Sequence, residues 1–412
     1  MIELVDIPQK AREQIEQIGA MDLIVAVLGR SDPVALDGVL EGVRESIAKL
    51  YSPVRTLMIH SGESLEDSAS QDAVRTLAFP LPPIAGDPAQ SIGDAYHAVF
   101  SVGRNLGARA VVILVSDVES ITPHWIYSLA RPVLELDFDL VTPCYGHARS
   151  QGLLNSSIVA PITRALYGKR IEHPLGPDFG FSGRLVERRL NTTANPRGHS
   201  HPRSLASIAV DAICDGLEVC QAHVGVRHYP PTDWMNQSSV LTQILGPLFT
   251  EAEFHASQWQ RVRGSQAVAA FGETSVSDAE PEAADVRRMI DSFQLGWRNL
   301  QEIWSLVLPP GTLLELSKLS KLPAEQFHMP DRLWARIVYD FALGHRLRLL
   351  NPDHLLRAMT PLYLAWVASY TLESAIIEPG AVAQRLEVLA LAFEAAKPYL
   401  VSRWRWPDRF NP

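Results

Sequence analysis

Residues 22–28 read Asp22-Leu-Ile-Val-Ala-Val-Leu28, a short apolar run rich in β-branched side chains. An apolar run without polar alternation is the pattern of a strand covered on both faces. Gly29 to Pro33 breaks it, and Val34, Leu36, Val39, Leu40, Val43, Ile47 and Leu50 then recur at helical spacing. Working outward, a second strand is predicted at Arg55–Ile59, a helix over 91–106, a third buried strand at Ala108–Val115 and another at Asp139–Thr142. Strand alternating with helix implies an α/β protein built on a parallel sheet. Ligands of such sheets lie beyond the carboxyl ends of the strands, where the strand order reverses. Here those ends are Leu28–Asp32, His60–Ser64 and Ser116–Ser120.

Composition narrows the classes. The 412 residues carry 37 Lys+Arg against 46 Asp+Glu, a net charge of −9, which speaks against holding nucleic acid by phosphate neutralisation. Hydrophobic residues make up 47% and charged residues 20%, an ordinary globular balance. Cys144, Cys214 and Cys220 show no metal-finger spacing, and their odd number does not suggest a disulfide framework, so a reduced cytoplasmic setting is expected. The opening residues are charged from Glu3 onward, unlike a signal peptide. Apolar runs such as Val111–Val115 fall far short of the ~20 residues a membrane span needs.

The expected organisation is an α/β domain over 1–250, a linker or mobile loop over 251–288 and a helical domain over 289–412. The linker expectation rests on the small, polar and acidic stretch 264–288, the helical one on periodic segments punctuated by prolines. Trp334, Tyr339, Tyr363, Trp366 and Tyr370 have the spacing of helix core.

Three stretches could carry chemistry. Asp117 and Glu119 follow the third strand, where hard oxygen ligands can hold Mg²⁺ or Mn²⁺; the alternative is a cap for the helix entered at Thr122-Pro123. Asp178 lies in the glycine-rich Pro174-Leu-Gly-Pro-Asp-Phe-Gly-Phe-Ser-Gly183, either orienting a ligand or serving an ordinary turn. His228, beside Arg227, ends a strand-like stretch and could meet metal or phosphate, or serve structure. The chain holds no HExxH, GxSxG, P-loop or paired CxxC motif.

SITPHWI (120–126), NSSIVAPITRALYGKRI (155–171), PLGPDFGFSG (174–183) and GLEVCQAHVGVRH (216–228) resemble the retaining GT-A glycosyltransferases of the glucosylglycerate synthase type. LWARIVYDFA (333–342), MTPLYLAWVASY (359–370) and FEAAKPYLVSRW (393–404) extend the resemblance into the helical region. It implies a GT-A, Rossmann-like nucleotide-diphospho-sugar transferase fold with a helical C-terminal domain. It further implies transfer of a hexose from a nucleotide diphosphate sugar to a small acid such as glycerate, with Mg²⁺ or Mn²⁺ on the diphosphate. Asp117 matches the last aspartate of the family's DxD-type motif, His228 the later metal-binding histidine, and Asp178 the acid near sugar and acceptor.

The departures fall at the same place. The first acid of the motif is Val115, and the phosphate-side lysine is Ile92, followed by Asp94. The family's P-S-Y-N-N stretch is Leu28-Gly-Arg-Ser-Asp32, and its nucleotide-binding aspartate is Ser61. Arg30 could replace a cation, and Asp32, Glu63 or Glu119 an acid, at the donor site. A charged hydrogen bond is worth ~1.5–3 kcal/mol, so several losses would weaken donor binding by orders of magnitude. The second expectation is therefore a catalytically impaired relative acting as a binding or partner subunit, its partner an active glycosyltransferase subunit or its ligand sugar-like; a homodimer is a further expectation.

Overall fold

The computed structural model describes residue 7 and residues 9–28, 33–60, 74–78, 88–115, 120–146, 150–194, 204–228, 232–275 and 285–407. Its contacts divide the chain into two compact units. The first comprises Met1–His147, Ile171–His228 and Ala267–Ser277; the second comprises Ala148–Arg170, Tyr229–Gln266 and Asp278–Pro412. The units thus interleave in sequence, and no single cut at residue 250 separates them.

Ten strands are described: β1 Leu23–Val27, β2 Thr56–His60, β3 Val74–Ala78, β4 Ala110–Leu114, β5 Leu140–Gly146, β6 Lys169–Arg170, β7 Phe179–Ser182, β8 Val219–Val226, β9 Gln266–Ala267 and β10 Ala269–Phe271. Eight of them form the sheet of the first unit, in the order β10-β8-β5-β7-β4-β1-β2-β3. The four apolar runs predicted as strands are β1, β2, β4 and β5. Their side chains alternate between two hydrophobic clusters. Ile24, Ala26, Leu57, Ile59, Val111 and Ile113 face one, with the helices Pro88–Asn105 and Gly183–Ala194. Leu23, Val25, Val27, Met58, Val112 and Leu114 face the other, with the helices Pro33–Ile47 and Pro123–Leu136. Both faces are covered, which is why these strands are continuously apolar.

The sheet is mixed rather than purely parallel. β7 runs antiparallel to both β4 and β5 between them. Its sequence, Phe-Gly-Phe-Ser, reads as part of a turn because glycine is a poor strand former. Gly180 is required by packing: a Cβ there would lie 2.2 Å from the Leu129 carbonyl oxygen of the overlying helix. One reversed strand inside an otherwise parallel sheet, with a helical second unit, gives the α/β architecture with a helical C-terminal region that the sequence predicts. The 251–288 linker is also corrected. Residues 251–254 end a helix, Ala269–Phe271 pairs parallel with β8, and only 276–284 of that stretch lie outside the described residues.

The second unit contains the helices Ala160–Tyr167, Gln237–Phe254, Val286–Asn299, Asp331–Arg346, Thr360–Ser374 and Val382–Arg405, among others. Trp334, Tyr339, Tyr363, Trp366 and Tyr370 are all buried core residues, as their spacing predicts. Trp334 stacks on Trp366 at 6.2 Å, and its indole N–H donates to the Ser157 carbonyl at 3.1 Å. No helix among the described residues is long and apolar enough to cross a membrane.

Candidate functional site

The sheet order reverses between β1 and β4, since β2 and β3 extend from one side of β1 and β4 lies on the other. This is the switch point at which α/β sheets open a crevice. The Leu28 N–H closes the pair by donating to the Leu114 carbonyl at 2.7 Å. Val115 follows, and its side chain packs on the same cluster as Val111 and Ile113. Its backbone N–H donates to Asp178 Oδ1 at 2.7 Å.

Asp178 precedes β7 and is fully buried. Its Oδ2 accepts from the Tyr145 hydroxyl at 2.5 Å. A buried carboxylate persists where its oxygens are hydrogen-bonded. Asp178 is expected from sequence to face sugar or acceptor; in the structure its oxygens turn inward to a backbone amide and a phenol. Around it, Arg227 lies 5.2 Å over the Tyr145 ring, and His173 meets that ring edge-on at 5.2 Å. The Tyr96 hydroxyl donates to the Pro177 carbonyl. Burial holds the Tyr96 phenol well above its ordinary range, the Asp178 charge adding to the effect and Arg227 opposing it.

His228 leaves the end of β8. The β5–β8 register shifts between Cys144 and Tyr145, where Gly225 takes φ 123°. Such a bulge resets which way the following side chains point. The Arg227 N–H then donates to the Gly146 carbonyl at 3.0 Å, and the His228 N–H to Ser120 Oγ at 3.1 Å. The His228 side chain is exposed, hence accessible to a ligand. The helix after Ser120 is capped as its sequence predicts: the Thr122 hydroxyl accepts from the Trp125 N–H, with Pro123 in the first turn. That cap is Thr122, so neither Asp117 nor Glu119 is needed for it.

The structure pairs Val115 with Asp178 and, separately, Ser120 with His228. Arg30, Asp32, Ser61, Glu63, Asp117 and Glu119 lie outside the described residues. Ile92, on the first turns of the helix Pro88–Asn105, packs half-buried on the cluster that also receives Val115. The two positions where the family resemblance implies charge are thus apolar and share one hydrophobic surface. Sequence reasoning missed Tyr145, whose partner stands 33 residues later. It also missed His60, buried at the carboxyl end of β2 with neither ring nitrogen hydrogen-bonded among the described residues. Burial holds the His60 imidazole below its ordinary value, in the neutral form.

No protein-family model matches the chain, and no curated protein matches it in sequence. Among solved structures it is similar to glucosyl-3-phosphoglycerate synthase from Mycobacterium tuberculosis in complex with uridine diphosphate. The identity is 18% over 58% of this chain and 84% of that one, with a TM-score of 0.33. The same enzyme with Mn²⁺, uridine-diphosphate-glucose and phosphoglyceric acid matches at 18% identity over 58% and 83%, with a TM-score of 0.33. Its complex with Mn²⁺, uridine-diphosphate-glucose and glycerol 3-phosphate matches at 15% identity over 58% and 83%, with a TM-score of 0.34.

Proposed function

We propose that the protein is a cytoplasmic glycosyltransferase that takes a nucleotide diphosphate sugar at the carboxyl edge of β1 and β4 and transfers its hexose, with retention, to a small acid such as glycerate. The observation that carries this reading is the Ser120–His228 hydrogen bond. It fastens the backbone of an exposed histidine to Ser120, three residues after Asp117 in sequence. Asp117 and His228 would hold Mg²⁺ or Mn²⁺, and His228 fits that role because its side chain is accessible. A bound divalent cation supplies positive charge to a departing diphosphate. On the protein side, Arg30 would meet phosphate, with Asp32, Ser61 and Glu119 meeting the rest of the donor. Asp178 would stand behind Val115, whose amide donates to it. The test is transfer of labelled hexose from UDP-glucose, GDP-glucose or GDP-mannose to glycerate and 3-phosphoglycerate with Mn²⁺. Product that vanishes in both Asp117→Ala and His228→Ala supports the reading, and transfer unchanged in both removes it.

A second reading is favoured by the apolar pair Val115 and Ile92 on one hydrophobic cluster. Losing a carboxylate and an ammonium from a diphosphate site costs ~1.5–3 kcal/mol each, tenfold in affinity per 1.4 kcal/mol. On that reading the chain keeps the scaffold, binds donor weakly or not at all, and acts as a partner subunit of a second copy or of an active transferase. Stable co-purification without turnover is its signature.

A further inference from the structure

The carboxyl end of β4 is held from behind by a chain of side chains. The Val115 amide lies one residue past the last residue of β4. A β-sheet amide there would ordinarily pair with a neighbouring strand or with water. Instead it donates to Asp178 Oδ1 at 2.7 Å. The other oxygen, Oδ2, accepts from Tyr145 at 2.5 Å. Tyr145 is itself fixed on three sides: Trp125 at 5.5 Å, His173 at 5.2 Å and the Arg227 guanidinium at 5.2 Å from its ring centroid. Arg227 is the neighbour of His228, and its own amide is tied to Gly146, the neighbour of Tyr145. Tyr145 therefore connects the exits of three strands: β4 through Asp178 and Val115, β5 on which it lies, and β8 through Arg227.

We infer that Tyr145 and Asp178 are positioning residues for the proposed donor site, setting the Val115 exit of β4 against the His228 exit of β8 without contacting donor or acceptor. This inference rests on the proposed transferase reading for its ligand and goes beyond it by assigning Tyr145, which that reading does not require. A phenol hydroxyl is the right group for the task. It donates one directed hydrogen bond to a buried carboxylate, while its ring supplies the apolar and cation–π contacts that fix its direction. The Asp178 carboxylate, held between an amide and a phenol, accepts charge-assisted hydrogen bonds, which are shorter and stronger than neutral ones.

The experiment pairs two readouts on wild type, Tyr145→Phe and Asp178→Asn. The first is hydrogen exchange of the peptide spanning 110–115, which needs no ligand. The second is Mn²⁺ titration by electron paramagnetic resonance with UDP-glucose, GDP-glucose or GDP-mannose present. The inference expects Tyr145→Phe to fold with its other strand amides protected as in wild type. It further expects the Val115 amide to exchange at least tenfold faster and Mn²⁺ affinity to fall about tenfold. Asp178→Asn should show the same pattern, more strongly. Unchanged Val115 exchange in Tyr145→Phe overturns the inference whatever the metal does, and so does loss of Val115 protection with Mn²⁺ affinity intact. A Tyr145→Phe protein that fails to fold also overturns it, because the hydroxyl would then serve the fold as a whole. Wild type that binds no Mn²⁺ with UDP-glucose, GDP-glucose or GDP-mannose removes the transferase reading; the exchange readout then shows separately whether Tyr145 holds Val115.

Discussion

The His228 backbone N–H donates to the Ser120 hydroxyl at 3.1 Å, across 108 residues of sequence. This bond fixes where the exit of β8 stands relative to the entry of the helix Pro123–Leu136. Ser120→Ala removes its acceptor. A single neutral hydrogen bond contributes about 1 kcal/mol, so the thermal midpoint should fall by about 2–4 °C. Donor affinity in the presence of Mn²⁺ should fall about fivefold, read by calorimetry. An unaltered affinity would show that the histidine is placed by other means.

The strands that were legible in the sequence are those whose physical reason is local. β1, β2, β4 and β5 are apolar because both sheet faces are covered, and that shows in any window of five to seven residues. β7 was not legible. Its Gly180 is demanded by the Leu129 carbonyl, a long-range contact that leaves only a turn-like glycine in the sequence. β10 reads as linker for a similar reason: its Ala-Ala-Phe is nearly featureless, and Gly272 beyond it takes φ 84° close against the His223 carbonyl. At the site, the apolar character of Val115 and Ile92 was visible, but not that both join one cluster. Tyr145 carried no signal, because a strand tyrosine looks the same whether or not its hydroxyl has a buried partner.

Gly180→Ala should damage the first unit severely. Its Cβ would press on backbone, the Leu129 carbonyl oxygen at 2.2 Å, and that helix carries a buried face. Overpacking of this kind costs about 1–3 kcal/mol, at times more. Urea denaturation should show the unfolding free energy lowered by that amount at unchanged m, and a wild-type value would mean that the helix can move away freely.

Acid should destabilise the protein in two separate windows. Burial depresses the His60 pKa in the folded state, so the unfolded chain takes up the proton first. That stability is complete above the ordinary histidine value near 6.5 and is lost as pH falls below it. In the second unit, Arg164 holds Glu387 below the ordinary glutamate range, and against the opposing effect of burial Ser265 and then Arg164 do the same for Glu394. Their contribution is complete above about 4.5 and is lost as pH falls further. Urea midpoints measured from pH 3 to 8 should lose the upper window in His60→Gln and the lower one in Arg164→Met. A profile unmoved by either substitution would contradict both assignments.

Thiol labelling should separate the cysteines. Cys144 and Cys220 are buried, and burial pushes both thiols far above their ordinary pKa, which suppresses the reactive thiolate. Cys214 is only half-buried. A disulfide reagent should therefore modify Cys214 first in native protein and all three cysteines in 8 M urea. Fast native modification of Cys144, read by peptide mass mapping, would show that the β5–β8 layer opens.

The central claim is that the carboxyl edge of β1 and β4 still takes a nucleotide diphosphate sugar. It is tested most directly by calorimetric titration with UDP-glucose, GDP-glucose and GDP-mannose, each with and without Mn²⁺, in wild type, Asp117→Ala and His228→Ala. The account predicts Mn²⁺-dependent binding of one donor in wild type that disappears in both variants. Absence of binding at millimolar donor, with the protein folded, would contradict it and leave the partner-subunit reading standing.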